Sequence, residues 1–147
     1  MVRGMRVLDE PRRGQLPPPW FPALSGLERM RAWSTQVLPA PPVTRLLGVR
    51  PTHVGPGQVA CVMRAGEMMV APNGQLQLWP LLSDALCMAL ATTAGPGYWA
   101  KPLVLYANYF RTARAGTGNL LAKARVLNSS SLFAYAEVVV EDNEGRQ

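Results

Sequence analysis

The chain has 147 residues, 48% of them hydrophobic, with one histidine and two cysteines. That fits one domain with a real core and excludes a disulfide framework or a histidine-rich metal site. The net charge of +6 is uneven: residues 1–50 hold eight arginines against three acids, whereas residues 51–147 hold seven basic against six acidic side chains. The body is therefore almost neutral, and with no aromatic-and-basic module beside it the charge does not indicate nucleic-acid binding. No window reaches the roughly 20 apolar residues of a membrane span, and the N-terminus lacks an apolar signal-peptide core. The expectation is a cytoplasmic protein with reduced Cys61 and Cys87, no membrane or nucleic-acid partner, and no metal or other cofactor.

In chain order, residues 1–22 are rich in Arg, Pro and Gly, with Pro17-Pro18-Pro19 favouring extended geometry, and read as a flexible basic arm. Residues 23–42 read as an N-terminal helix and a proline linker. Leu27, Met30, Trp33 and Val37 fall at helical spacing behind Ser25, with Glu28 placed for a capping box, and Pro39, Pro41 and Pro42 end the run. Residues 43–147 form the main domain. "RLLGVRPTHV" and "QVACVMRA" flank Gly55-Pro56-Gly57 and predict a hairpin. A turn at Pro72-Asn73-Gly74 follows, and then the apolar helix "LWPLLSDALCMALATTAG", with Pro80 tolerated in its first turn and Gly95 and Gly97 closing it. "KPLVLYANYF", "LLAKARVLN" and "LFAYAEVVVED" then predict three strands. In the last, Phe133, Tyr135, Glu137 and Val139 share one face and Ala134, Ala136 and Val138 the other.

A helix that is apolar nearly all round must be covered nearly all round, and a strongly curved sheet can do so. The expected fold is α+β: a hotdog arrangement, in which a curved antiparallel sheet of about five strands wraps a central helix. An open sheet edge invites a second copy, so a homodimer or a tandem pair of such domains is expected.

Asp84 is the one charge in that helix, with Leu81 and Met88 as its neighbours along the same face, beyond the first turn where free amides would stabilise it. A carboxylate buried there needs a partner, water or a chemical role, and desolvation would raise its pKa toward that of a useful general base. The alternative is that Asp84 reaches solvent through a gap in the sheet. His53, by the Gly55 turn, reads as a hairpin residue.

From Leu47 to the C-terminus the chain resembles the hotdog acyl-CoA thioesterases of the phenylacetate-degradation type. The segments that carry the likeness are "LLGV", a turn with "NG", the helix with "SDALCMAL", "LVLYANYFRTARAG" with Phe110-Arg111 and Gly116, and "LLAKARVLNSSSLFAYAEVVVEDNEGR". The resemblance implies that Asp84 activates water or attacks the thioester carbonyl itself. Where that family has His-Gly-Gly, nine residues before the acid, this chain has Gln75-Leu76-Gln77. Helix N-terminal amides, with Gln75 or Gln77, would then have to hold the oxyanion, and Asn73 is a further polar candidate. Arg111 and Arg114, with Lys123 and Arg125, could meet coenzyme A phosphates. Trp79 and Met88 could line the acyl site.

Two other readings stand beside a thioesterase. One is a non-catalytic hotdog module that binds an acyl-CoA or acyl-carrier thioester, or that is the structural partner of a second such domain. The other is an interaction domain whose basic arm contacts an acidic partner. The end at "EDNEGRQ" is read as that of a truncated domain or of the first half of a tandem pair.

Overall fold

The computed structural model describes residues 17–147. Most of the expected basic arm therefore lies outside the described residues. The elements are α1 (Gly26–Ser34), α2 (Pro42–Leu47), β1 (Arg50–Gly55), β2 (Gln58–Arg64), α3 (Trp79–Ala91), β3 (Asn119–Ser129) and β4 (Ala134–Glu141). The four strands form one antiparallel sheet in the order β1-β2-β3-β4. Its inner face packs on α3, and α1 lies across β1 and α3.

Alternation sets the inner face. On β2, Val59, Cys61 and Met63 point inward and pair across the ladder with Ala124, Ala122 and Leu120 of β3. Val59 and Cys61 thus stand opposite alanines, whereas Met63 and Leu120 form a large pair at the end of the ladder. Leu81, Ala85 and Ala89, spaced four apart, are fully buried against this layer. Burying Leu81 alone is worth roughly 1.5–3 kcal/mol. On β4, Val138 and Val140 join the core while Glu137 faces outward to pair with Arg125, as the alternation predicts.

The capping box forms as expected: the Ser25 hydroxyl accepts from the Glu28 amide at 3.3 Å, and Glu28 accepts from the Ser25 amide at 2.8 Å. Gly26 is required for a different reason. Its amide donates to the Ala94 carbonyl at 2.9 Å, and a Cβ there would overlap the Ala91 carbonyl. The end of α3 and the start of α1 are thereby locked together.

Arg29 is fully buried on the same side. Its guanidinium lies 4.1 Å from the centre of the Trp99 ring and donates to the Tyr98 carbonyl at 2.6 Å, while Nε and Nη1 have no partner among the described residues. Phe21, also fully buried, stacks near Trp33 and Trp99. The proline-rich stretch thus leads into an anchored aromatic, not directly into α1.

Three expectations need correction. The stretch from Arg45 is not a strand at its start: Pro42 opens a short helix, α2, which ends at Gly48 with φ +71°, and the strand begins at Arg50. Val37 is exposed and lies beyond the end of α1, because the chain turns through Gln36 at φ +60°. The segment "KPLVLYANYF" is not a strand, so the sheet has four strands and not five. From Trp99 to Thr112 no backbone group bonds to another described backbone group, so β-branched and aromatic content alone did not secure a ladder partner.

Candidate active site

Asp84 sits midway along α3, about 7.5 Å of helical rise past Trp79. One carboxylate oxygen, Oδ2, is buried with no partner among the described residues. Its neighbours are the Thr44 hydroxyl of α2, close enough to act on its ionisation, and the thiols of Cys61 on β2 and Cys87 on α3. Burial pushes the Asp84 carboxyl above the ordinary carboxylate range, and the Thr44 hydroxyl pulls in the opposite direction. The same burial, with the Asp84 charge beside it, pushes the Cys61 thiol up to about 12, so Cys61 stays protonated. Both cysteines are free.

Local geometry brings the glutamines to the start of α3. The chain reverses at Pro72-Asn73-Gly74, with the Gly74 amide on the Ala71 carbonyl at 2.8 Å and Gly74 at φ +79°. Val70 then bridges Leu76, and Gln75 bridges Arg114. This small hairpin engages all three amides in question. Gln75 N–H donates to Asn73 Oδ1 at 3.1 Å, Leu76 N–H to the Ala113 carbonyl at 2.9 Å, and Gln77 N–H to the Met69 carbonyl at 2.7 Å. Asn73 is accordingly a turn residue that satisfies the next strand's amide. The donors still free of intrahelical partners are those of the first turn, Trp79 and Leu81, because Pro80 has none to offer.

A cleft of about 430 Å³ opens here, lined by Gln75, Gln77, Trp79, Tyr109 and Arg111 among others, with Trp79 and Tyr109 edge to face at 6.4 Å. Arg114 is joined to its rim through Gln75. Asp84 lines neither this cleft nor the larger groove that adjoins it at Leu78 and Tyr109 to Ala113. Met88 lies in the core against Cys61, at 3.6 Å between sulfurs. Lys123 and Arg125 are paired with Glu141 and Glu137 across β3 and β4. Four candidates, Gln75, Gln77, Trp79 and Arg111, therefore meet in one place, while Asp84 and Met88 stand apart from them.

Thr44 and Cys61 were not anticipated as neighbours of Asp84. The signal that could have found Thr44 is Pro42, since proline at a first helical position marks a helix and hence a packed face. No motif pointed to Cys61. Among the described residues no cluster of His, Cys, Asp or Glu could hold a metal ion, and no helix is long and apolar enough to cross a membrane.

No protein-family model and no curated protein matches the chain. Solved structures do. A phenylacetic acid degradation-related protein of Ralstonia eutropha JMP134 superposes with a TM-score of 0.69 at 23% identity, covering 78% of this chain and 89% of its own. The PaaI protein of the Escherichia coli phenylacetic acid degradation operon gives 0.69 at 16% identity over 84% and 87% of the two chains. A variant of the phenylacetic acid degradation protein PaaI from Thermus thermophilus gives 0.58 at 24% over 72% and 90%. With a helix on a curved antiparallel sheet in hand, and identities this low, the conclusion concerns architecture: the chain has the hotdog fold of the PaaI-like thioesterases.

Proposed function

We propose that the protein is an acyl thioester hydrolase in which Asp84 is the general base or the nucleophile. The observation that carries this reading is the buried Oδ2 of Asp84, a carboxylate oxygen that has no hydrogen-bond partner among the described residues. In the general-base route the carboxylate takes a proton from water as the water oxygen bonds to the thioester carbonyl carbon. The tetrahedral oxyanion then collapses, the carbon–sulfur bond breaks, and the thiolate leaves. A carboxyl with a raised pKa is a stronger base than an exposed one at neutral pH. Trp79 and Leu81 amides, with the Gln75 or Gln77 side chain, supply the oxyanion donors in this scheme. Arg111 and Arg114 beside the cleft suit the phosphates of coenzyme A or of a carrier-protein arm. A reducing cytoplasmic compartment and a homodimer or tandem pair belong to the same reading, since both cysteines are free and the sheet has open edges at β1 and β4.

A second reading has its own support. The amides of Gln75, Leu76 and Gln77 are all engaged internally, which favours a module that binds a thioester without cleaving it. A panel of acyl-CoA thioesters separates the two. Turnover that falls about a hundredfold in Asp84→Asn supports hydrolysis. Binding of coenzyme A without turnover in the unmodified protein supports the second.

A further inference from the structure

Beyond α3 the chain runs along the larger groove, about 1220 Å³, which Cys87 and Leu90 of α3 line together with Tyr98 and Trp99. Residues 95–112 have little to hold them there. Among the described residues, they make only two hydrogen bonds to anything outside their own stretch, and both go to the N-terminal region. The Gly97 amide donates to the Pro22 carbonyl at 2.8 Å, and the Arg29 guanidinium donates to the Tyr98 carbonyl at 2.6 Å. The position of this wall of the groove is therefore set from a distant part of the chain.

Phe21 seats that part. It is fully buried, with its ring centre 5.1 Å from that of Trp33 and 5.8 Å from that of Trp99, and its amide closes a turn on the Pro18 carbonyl at 3.0 Å. Arg29 lies 4.1 Å from the centre of the same Trp99 ring, so an aromatic and a cation together hold the indole that lines the groove.

The seated arrangement carries a penalty of its own. Arg29 is fully buried 5.9 Å from the Phe21 ring, yet its Nε and Nη1 have no partner among the described residues, and such buried donors are destabilising until water reaches them. Releasing Phe21 gives up aromatic burial and relieves those two groups. The opposed terms bring a second state within reach of the first. A short segment with one buried anchor also opens at well below the cost of global unfolding.

We propose that Phe21 is a latch on the groove. Seated, it holds residues 95–99 in place through Pro22, Arg29 and Trp99. Released, it frees the wall at Tyr98 and Trp99, and the groove opens toward Cys87 and Leu90. The latch acts whatever molecule the groove takes, so it stands apart from the reading of Asp84.

The test reads both ends of this coupling in the full chain. In Phe21→Ala, amide hydrogen exchange at Gly97 is expected to speed up by about tenfold or more, with exchange in β2 and β3 unchanged. Labelling by iodoacetamide, located by mass spectrometry, is expected to speed up by about threefold or more at Cys87, which lines the groove, and not at the fully buried Cys61. Phe21→Leu keeps an apolar anchor and is expected to fall between the unmodified protein and Phe21→Ala; it carries the test if the alanine variant does not fold. Unchanged exchange at Gly97 would overturn the proposal. So would faster exchange at Gly97 with no change at Cys87, because the segment would then control no access. Equal acceleration at Cys87 and Cys61 would overturn it as well, since that pattern reports global unfolding.

Discussion

The two sides of α3 are built on opposite terms. Toward β2 and β3 the helix presents Leu81, Ala85 and Ala89, each fully buried in the core that it shares with the sheet. Toward β4 and residues 99–112 it presents Ser83, Leu86, Cys87 and Leu90, half-buried around an open groove. The first side is closed by the sheet, and the second borders the groove. One apolar helix can serve both purposes because its sequence is hydrophobic in every direction, while its neighbours are not equally close.

Substitutions can break or sharpen that contrast. The largest effect is expected at the lock between α1 and α3. Gly26→Ala puts a methyl group into the Ala91 carbonyl, and about 3 kcal/mol or more of stability should be lost in denaturant titration. Leu81→Ala on the packed side should cost about 3 kcal/mol, whereas Leu90→Ala on the groove side should cost about 1 kcal/mol or less, because little surrounding structure loses contact. Equal costs at the two leucines would remove the distinction between the sides.

A smaller difference is expected at Arg29. Arg29→Ala removes its stacking on Trp99 and leaves a cavity, for a loss of about 2 kcal/mol. Arg29→Met, which fills the space and brings no unpaired N–H groups, should cost about half of that or nothing. The comparison, made by thermal unfolding, tells packing from charge.

The smallest effect concerns Asp84 and has a defined sign. Burial raises its native pKa, so between the unfolded and native values the folded state holds the proton more tightly and stability falls as pH rises. Above the native pKa the full penalty persists. Asp84→Asn should therefore stabilise the fold by about 1 kcal/mol at neutral pH, with the gain vanishing near pH 3. A variant less stable at neutral pH would mean that the Thr44 contact outweighs the cost of burial.

Much of this was legible in the amino-acid sequence. The Ser25 and Glu28 pair, the Gly55-Pro56-Gly57 hairpin, Pro80 in a first turn, the β3 strand and the alternation of β4 are local signals, and each took its expected form. Two of the misses, α2 opened by Pro42 and the turn at Gln36 that ends α1, are local, and the others depend on neighbours far along the chain. "KPLVLYANYF" has the composition of a strand, but a strand exists only where an edge meets it, and here the groove intervenes. At the site, Asp84 stands out as a charge in an apolar run, whereas its contact with Thr44 depends on how α2 folds back. The engaged amides of Gln75, Leu76 and Gln77 arise from the Asn73 turn and from Met69 and Ala113, a combination of local and distant partners that no motif encodes.

The proposed role of Asp84 is tested most directly by the pH dependence of kcat/KM for acyl-CoA hydrolysis. The expected profile rises with one ionisation above the ordinary carboxylate range, and that limb disappears in Asp84→Asn together with about a hundredfold of activity. An unchanged profile and rate in Asp84→Asn would contradict the assignment.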